Sequence, residues 1–280
     1  MNKKNIFKLT IFAQLAYLFY IHQNKCVKIT KHKIINEKIP DSFNDFKIVQ
    51  LSDIHCEKVG ISDLVFFEQV RSQNPDIIVI TGDILDSYRN NSDIAYNILA
   101  NISNIAPTYF VSGNHEIRLP YEYSVLRKQL NKLNIVDLSN NKVLLEKYGE
   151  SISLGGIEDF KYFYNKYKEN HYTMYRKQLL KVYNENLYNI LLAHRPEKFH
   201  LYSDLKFDLI LSGHAHGGQW NVPLLGRIYA PNQGYFPKYT NGLYFENIST
   251  MVVSQGLGNS SFPTRLNNRL EIITVILGNK

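Results

Sequence analysis

Five apolar runs in this chain end in residues that bind metals or move protons: "QLSDIH", "VITGDILD", "FVSGNHE", "LLAHRP" and "LSGHAH". Together they deliver Asp53, His55, Asp83, Asn114, His115, His194, His214 and His216. Five of the nine histidines lie at these exits, whereas His22, His32, His171 and His200 have no such setting. One buried histidine is ordinarily a satisfied hydrogen-bonding group, but five at equivalent positions need a shared purpose. Imidazole, carboxylate and a carboxamide oxygen, with no sulfur, suit zinc, iron or manganese and disfavour Cu(I) and iron–sulfur clusters. The seven candidate ligands are Asp53, His55, Asp83, Asn114, His194, His214 and His216, more than one tetrahedral zinc can use. Two divalent ions sharing a carboxylate would use them well, and ions ~3.5–4 Å apart clamp an in-line displacement at phosphorus. Gly82, Gly113 and Gly213 each precede a candidate ligand, as tight turns and close approach of the ions require.

The elements behind these exits alternate between strand and helix. "FKIVQLSD", "DIIVITGD", "TYFVSGNHE", "NILLAH" and "FDLILSGH" read as buried strands, because an apolar run bounded by turn residues is what a strand covered on both faces needs. Helical patterns occupy Ser62 to Gln73, Asp93 to Ile105 with Asp93 as N-cap, Tyr121 to Leu133, and Tyr172 to Tyr183. "MVVSQGLG" and "RLEIITVIL" add strands near the C-terminus, after a glycine- and proline-rich loop or hairpin from Gly217 to Gly242. One α/β domain with a layered sheet follows. His214 and His216 are expected on one side because strand residues alternate faces. Gly217 and Gly218 let the chain turn away beneath them.

Composition narrows the class without naming it. The chain has 280 residues, 44% hydrophobic and 20% charged, with a net charge of +7. That balance suits a folded domain with anionic partners, although its basic residues are scattered over the sequence. Cys26 and Cys56 make neither a disulfide framework nor a thiolate metal site. The opening "MNKKNIFKLTIFAQLAYLFYIHQNK" pairs lysines with an apolar stretch from Leu9 to Ile21 and no small-residue cleavage site. It reads as an uncleaved anchor or monotopic membrane helix over residues 1–33, the alternative being a helix packed on the domain of residues 34–280. Lysines on both sides leave its orientation open.

The motifs D-x-H, G-D-x-x-D, G-N-H-[DE], H and G-H-x-H occur in order as "DIH", "GDILD", "GNHE", "AHRP" and "GHAH". On these residues, from Phe46 to Leu277, the chain resembles the calcineurin-like metallophosphoesterase superfamily. The resemblance implies a layered α-β-β-α sandwich of mixed sheets with a dinuclear metal site at the strand carboxyl ends. It implies one metal on Asp53, His55, Asp83 and His216, and a second on Asp83, Asn114, His194 and His214, with Asp83 bridging. His115 would be the uncoordinated histidine beside the leaving group, and Asp86 would lie outside the ligand set. The implied reaction is hydrolysis of a phosphate ester by a metal-bridging hydroxide.

"GHAHGGQW" followed by "PLLGRIYAPNQGYFPKYTNGLY" is similar to a narrower, membrane-linked bacterial branch acting on phosphodiesters or nucleotide–lipid diphosphates. The stretch Gln219 to Tyr244 is the expected substrate wall. Gln219, Arg227 and Lys238 would contact anionic groups and Trp220, Tyr235 and Phe236 a base or acyl chain; Arg118 stands nearby. A hairpin whose aromatics merely pack on the sheet is the alternative. Membrane association at the bacterial cell membrane is expected, with a phosphorylated small-molecule or lipid-linked substrate and no specific nucleic-acid partner. A soluble nuclease or cyclic-nucleotide phosphodiesterase, and a metal-free binding scaffold, are the competing readings.

Overall fold

A strand with apolar residues on both faces is stable only between two other layers, and the central strands lie in that setting. The computed structural model describes residues 3–89, 91–259 and 264–279. One six-stranded sheet contains β1 (Lys28–Ile35), β2 (Lys47–Leu51), β3 (Ile77–Thr81), β4 (Thr108–Val111), β5 (Val136–Asp137) and β16 (Glu271–Gly278), in the order β1-β16-β2-β3-β4-β5. The other contains β6 (Asn141–Lys147), β7 (Glu150–Gly156), β8 (Asn189–Leu192), β9 (Leu209–Ser212), β14 (Gly242–Glu246) and β15 (Ser249–Val253), in the order β14-β15-β9-β8-β7-β6. Both sheets are mixed. β2 to β5 run parallel in the first and β7, β8, β9 and β15 in the second, while β16 against β2, β6 against β7 and β14 against β15 are antiparallel.

The period-2 alternation of strand side chains sorts the core into three layers. Ile48 and Val79 face the second sheet, where they meet Leu154, Ile190 and Leu211. Val49, Leu51, Ile78 and Ile80 face outward onto Phe66, Val70, Leu99 and Leu126. Those residues belong to α2 (Asp63–Arg71), α3 (Ser92–Ser103) and α5 (Pro120–Lys132). Beyond the second sheet, Leu191 and Ile210 pack on α6 (Phe160–Tyr167), α7 (His171–Val182) and α8 (Phe199–Asp204). The expected α-β-β-α sandwich is the observed one.

Helix boundaries follow local chemistry. Ser62 caps α2 by accepting from Val65 N at 3.3 Å. α3 begins one residue before the expected N-cap: Asn91 takes that position without a side-chain bond, and Asp93 lies in the first turn, where its charge complements the helix dipole. Strands β1, β6, β7 and β14 carry apolar runs of at most three residues, set among charged and polar ones, and escaped the sequence reading. The loop from Gly217 to Gly242 contains two short hairpins, β10 (Asn221–Val222) with β11 (Gly226–Arg227) and β12 (Tyr229–Ala230) with β13 (Gly234–Tyr235).

The N-terminal segment is a helix, α1 (Lys3–Lys25), exposed along residues 3–20. Its last turn is tied to the domain: Asn24 Nδ2 donates to Arg265 O at 3.3 Å and Asn24 Oδ1 accepts from Arg265 N at 2.7 Å. Asn268 N also donates to Gln23 Oε1 at 3.3 Å. Residues 28–33 already belong to β1 and pair with β16. Among the described residues no helix is long and apolar enough to cross a membrane.

Candidate metal centre

The exits of β2, β3 and β4 in one sheet face those of β8 and β9 in the other. Asp53 and His55 follow β2, Asp83 follows β3, and His194 follows β8. Asn114 and His115 open the short α4 (Asn114–Arg118) after β4, and His214 and His216 follow β9. All eight are buried. Strand alternation does not place the last pair, because β9 ends at Ser212. Both histidines have left-handed backbones instead (φ 66° and 45°), as do Asp53, His55 and Asp83 (φ 53° each). A side-chain-bearing residue in that region costs about 1–2 kcal/mol, and such strain concentrates at functional sites. Gly217 and Gly218 also have positive φ (59° and 75°), completing the turn beneath the site.

Two clusters result, each able to hold a cation: Asp53 with His55 and His216, and Asp83 with His194 and His214. In the first, His55 Nε2 and His216 Nε2 are 3.0 Å apart, with Asp53 Oδ1 at 4.0 and 3.4 Å from them. In the second, His194 Nδ1 donates to Thr81 O at 2.7 Å, which directs Nε2 at Asp83 Oδ2, 3.2 Å away. Asp83 Oδ2 is also 3.9 Å from His55 Nε2, so this carboxylate stands between the clusters. Asn114 Oδ1 is buried with no hydrogen-bond donor.

Lone pairs facing lone pairs in a dry site call for protons or cations. The donor set therefore fits divalent metal ions. The two clusters differ in their electrostatics. Burial depresses His55 to about 3 and holds His216 well below its ordinary value, leaving neutral imidazoles ready to coordinate. Burial also pushes Asp53 up to about 6. His194 is driven to about 10: burial opposes its charge, but Asp83 outweighs burial, so a proton on Nε2 stands where a cation would displace it.

A third cluster joins His115 to Asp86 and His55. Asp86 Oδ1 lies 3.2 Å from His115 Nδ1, so the carboxylate expected outside the ligand set sits directly behind the expected uncoordinated histidine. Ser87 N–H also points at that nitrogen, at 2.9 Å.

The glycines before the ligands permit the crowding. A Cβ on Gly113 would fall 2.2 Å from Asp83 Oδ1, and one on Gly213 would fall 2.4 Å from Asp53 Oδ2.

The centre opens into a cleft of about 750 Å³ lined by His115, Arg118, Gln219, Trp220, Asn232 and Tyr235, among others. Arg118 and Gln219 are thus brought to the site. Arg227 is not: its Nη1 donates to Gly217 O beneath the turn, and it borders a separate cleft with Lys28 and Arg269. Lys238 lies over the Tyr239 ring, 4.8 Å from its centroid.

The sequence reading missed several supports. Glu116 accepts from Asp83 N, Leu85 N and Gly113 N at 2.9, 2.8 and 2.7 Å, locking two exits together. Buried Arg195 forms a two-pronged pair with Asp159, at 2.8 and 3.0 Å. Both signals stood in the quoted blocks, as the last letter of "GNHE" and the arginine of "AHRP", but only the fold reveals their partners.

Residues 46–218 match the family described as calcineurin-like phosphoesterase. Over 95% of its length the chain is 28% identical to 97% of the uncharacterized metallophosphoesterase YkoQ of Bacillus subtilis. Over 88% of its length it is 28% identical to 86% of the phosphodiesterase YaeI of Escherichia coli. A transmembrane protein with metallophosphoesterase domain from Danio rerio is 31% identical over 98% of the chain, which spans 63% of that relative. The chain belongs to the calcineurin-like phosphoesterase family and is a metal-dependent enzyme hydrolysing phosphate esters.

Proposed function

We propose that Asp53, His55, Asp83 and His216 hold one divalent cation and Asp83, Asn114, His194 and His214 a second, and that the enzyme cleaves phosphodiesters or diphosphate linkages carried by membrane lipids. The observation that carries the metal assignment is the convergence of imidazole nitrogens and carboxylate oxygens on two adjacent points, with Asp83 between them. Manganese, iron and zinc all suit these donors. When bound, such a pair supplies an activated water and stabilises charge on the phosphoryl oxygens.

The chain's own residues do the rest. Asp86 Oδ1, 3.2 Å from His115 Nδ1, favours the doubly protonated ring, with one proton on each nitrogen. The Nε2 proton passes to the leaving oxygen as its bond to phosphorus breaks. The ring left behind is neutral and keeps its Nδ1 proton on Asp86. Transfers of this kind contribute roughly 10²–10⁴ in rate. Arg118 Nη1, 3.5 Å from His115 Nε2, provides a charge on the same side for a phosphate oxygen, and Gln219 offers an amide at the wall.

The lipid part rests on exposed apolar surface. α1 presents Ile6, Phe12, Leu15 and Phe19, among others, to its surroundings, and exposed apolar surface of this kind marks a membrane or protein contact. Leu224 and Leu225 protrude from the hairpin beside the cleft, and Trp220 and Tyr235 are exposed at its mouth.

The test is a substrate panel for the full chain reconstituted with Mn²⁺: nitrophenyl mono- and diesters, cyclic nucleotides and nucleotide-linked lipids. Diesters and lipid diphosphates should turn over fastest. His115→Ala should retain both cations by metal analysis yet lose roughly 10²–10⁴ in turnover. Wild-type turnover in that variant would remove His115 from the reaction, and fewer than one cation per wild-type chain would overturn the metal assignment.

A further inference from the structure

We propose that Asn232, on the turn between β12 and β13, is a positioning residue that fixes which ring nitrogen His214 offers to the cation. The inference rests on the assignment of His214 as a metal ligand and adds what orients it. Asn232 Oδ1 lies 2.6 Å from Arg195 Nη1 and 3.0 Å from His214 Nε2. A guanidinium nitrogen can only donate, so the amide atom facing it is the carbonyl oxygen, and the orientation of the Asn232 side chain is settled. A carbonyl oxygen can only accept. His214 Nε2 must therefore bring a proton to it.

The alternative, in which Nε2 accepts from Arg195, leaves that guanidinium without a hydrogen to give. Nη1 carries two: one meets Asn232 Oδ1, and the other points to Glu197 Oε1 at 3.3 Å. Nε and Nη2 are committed to Asp159. The 3.3 Å approach of Nη1 to His214 Nε2 is then contact between two donors around a shared acceptor. It also places a fixed positive charge against the ring, which disfavours a second proton. His214 remains neutral with its proton on Nε2, and Nδ1 holds the only lone pair available to the cluster with Asp83 and His194.

The arrangement is a chain of supports. Asp159 holds Arg195, Arg195 holds Asn232, and Asn232 holds His214. Partners of this kind typically contribute 10–100-fold in metal affinity. Asn232 also lines the cleft, so the substrate wall and the metal cluster share one residue.

Two measurements on the full chain test this. In the metal-free wild type, long-range ¹H–¹⁵N correlation spectra of ¹⁵N-histidine-labelled protein should show His214 with its proton on Nε2. Calorimetric titration with Mn²⁺ should show Asn232→Leu binding one of two ions 10–100-fold more weakly, while Asn232→Asp, which keeps an acceptor oxygen, restores affinity to within a few fold. A His214 proton on Nδ1, or wild-type Mn²⁺ affinity in Asn232→Leu, overturns the inference and leaves the metal assignment standing. A wild type that binds no Mn²⁺ overturns both. Should Asn232→Leu fail to fold, the tautomer measurement on the wild type decides alone.

Discussion

Gly113→Ala is the sharpest probe of the centre, because it adds one methyl group and asks for no change in its own φ and ψ. Gly113 has φ −104° and ψ −170°, values open to any residue. Its new Cβ would lie 2.2 Å from Asp83 Oδ1 and 2.7 Å from Asp83 Cγ. An ordinary carbon–oxygen contact is about 3.3 Å, so one partner must retreat by roughly 1 Å. Retreat is opposed on every side: Asp83 Oδ1 accepts from His115 N at 2.8 Å, and Glu116 grips Gly113 N and Asp83 N. Metal–ligand distances tolerate only about 0.2 Å, so under the proposed assignment a displaced Asp83 would no longer serve either ion. Overpacking of this kind costs about 1–3 kcal/mol, which set against cation binding is about 5- to 150-fold in affinity. The assay is Mn²⁺ stoichiometry and affinity alongside turnover of bis(4-nitrophenyl) phosphate. Gly149→Ala is the control: it has φ +84° and no neighbour within 4 Å, so it should lower the melting temperature and leave metal binding intact. A Gly113→Ala enzyme with lowered stability but wild-type Mn²⁺ affinity and turnover would refute the reasoning.

Two further outcomes follow from the same structure. Burial, against the pull of Arg127, pushes the Glu158 carboxyl up to about 7 from 4.5, so the folded state holds this proton more tightly than the unfolded chain. Its contribution to stability is therefore fully present below pH 4.5 and is lost as pH rises to about 7, by at most about 3 kcal/mol. Glu158→Gln should flatten that part of the stability–pH curve in denaturant titrations, and an unchanged slope would contradict the assignment. At α1, combining Phe12→Ser, Leu15→Ser and Phe19→Ser should weaken co-sedimentation with phosphatidylcholine vesicles by at least about 40-fold, taking half of ~1.5 kcal/mol for each lost side chain. Hydrolysis of a soluble diester should persist, and undiminished sedimentation would remove α1 from the membrane proposal.

Much of the centre was legible because its ligands sit at the ends of strands buried on both faces, where apolar run and polar exit stand side by side in the sequence. "DIIVITGD" illustrates this: β3 spans Ile77–Thr81, and Asp83 follows after Gly82 alone. What escaped was of two kinds. β6, the last strand of its sheet and buried only at Leu145, keeps an apolar run of just three residues, Val143–Leu145, between charged ones. Asn232 and Asp159 act on residues far along the chain, and spacing carries no information about which distant arginine meets which amide. His214 and His216 do lie together in the cluster region, but by a different geometry from the one expected: left-handed backbones at Asp53, His55, Asp83, His214 and His216, not strand alternation, turn these side chains inward.

Each cation cluster draws on both sheets: Asp53 and His55 from one and His216 from the other, then Asp83 from the first and His194 and His214 from the second. The two halves are wound largely by different stretches of chain, and the ions would act as rivets through the seam between them. Assembly of the catalytic chemistry would then wait for that seam to close. Metal loading would therefore report on closure of a seam that the apolar residues between the sheets also hold shut.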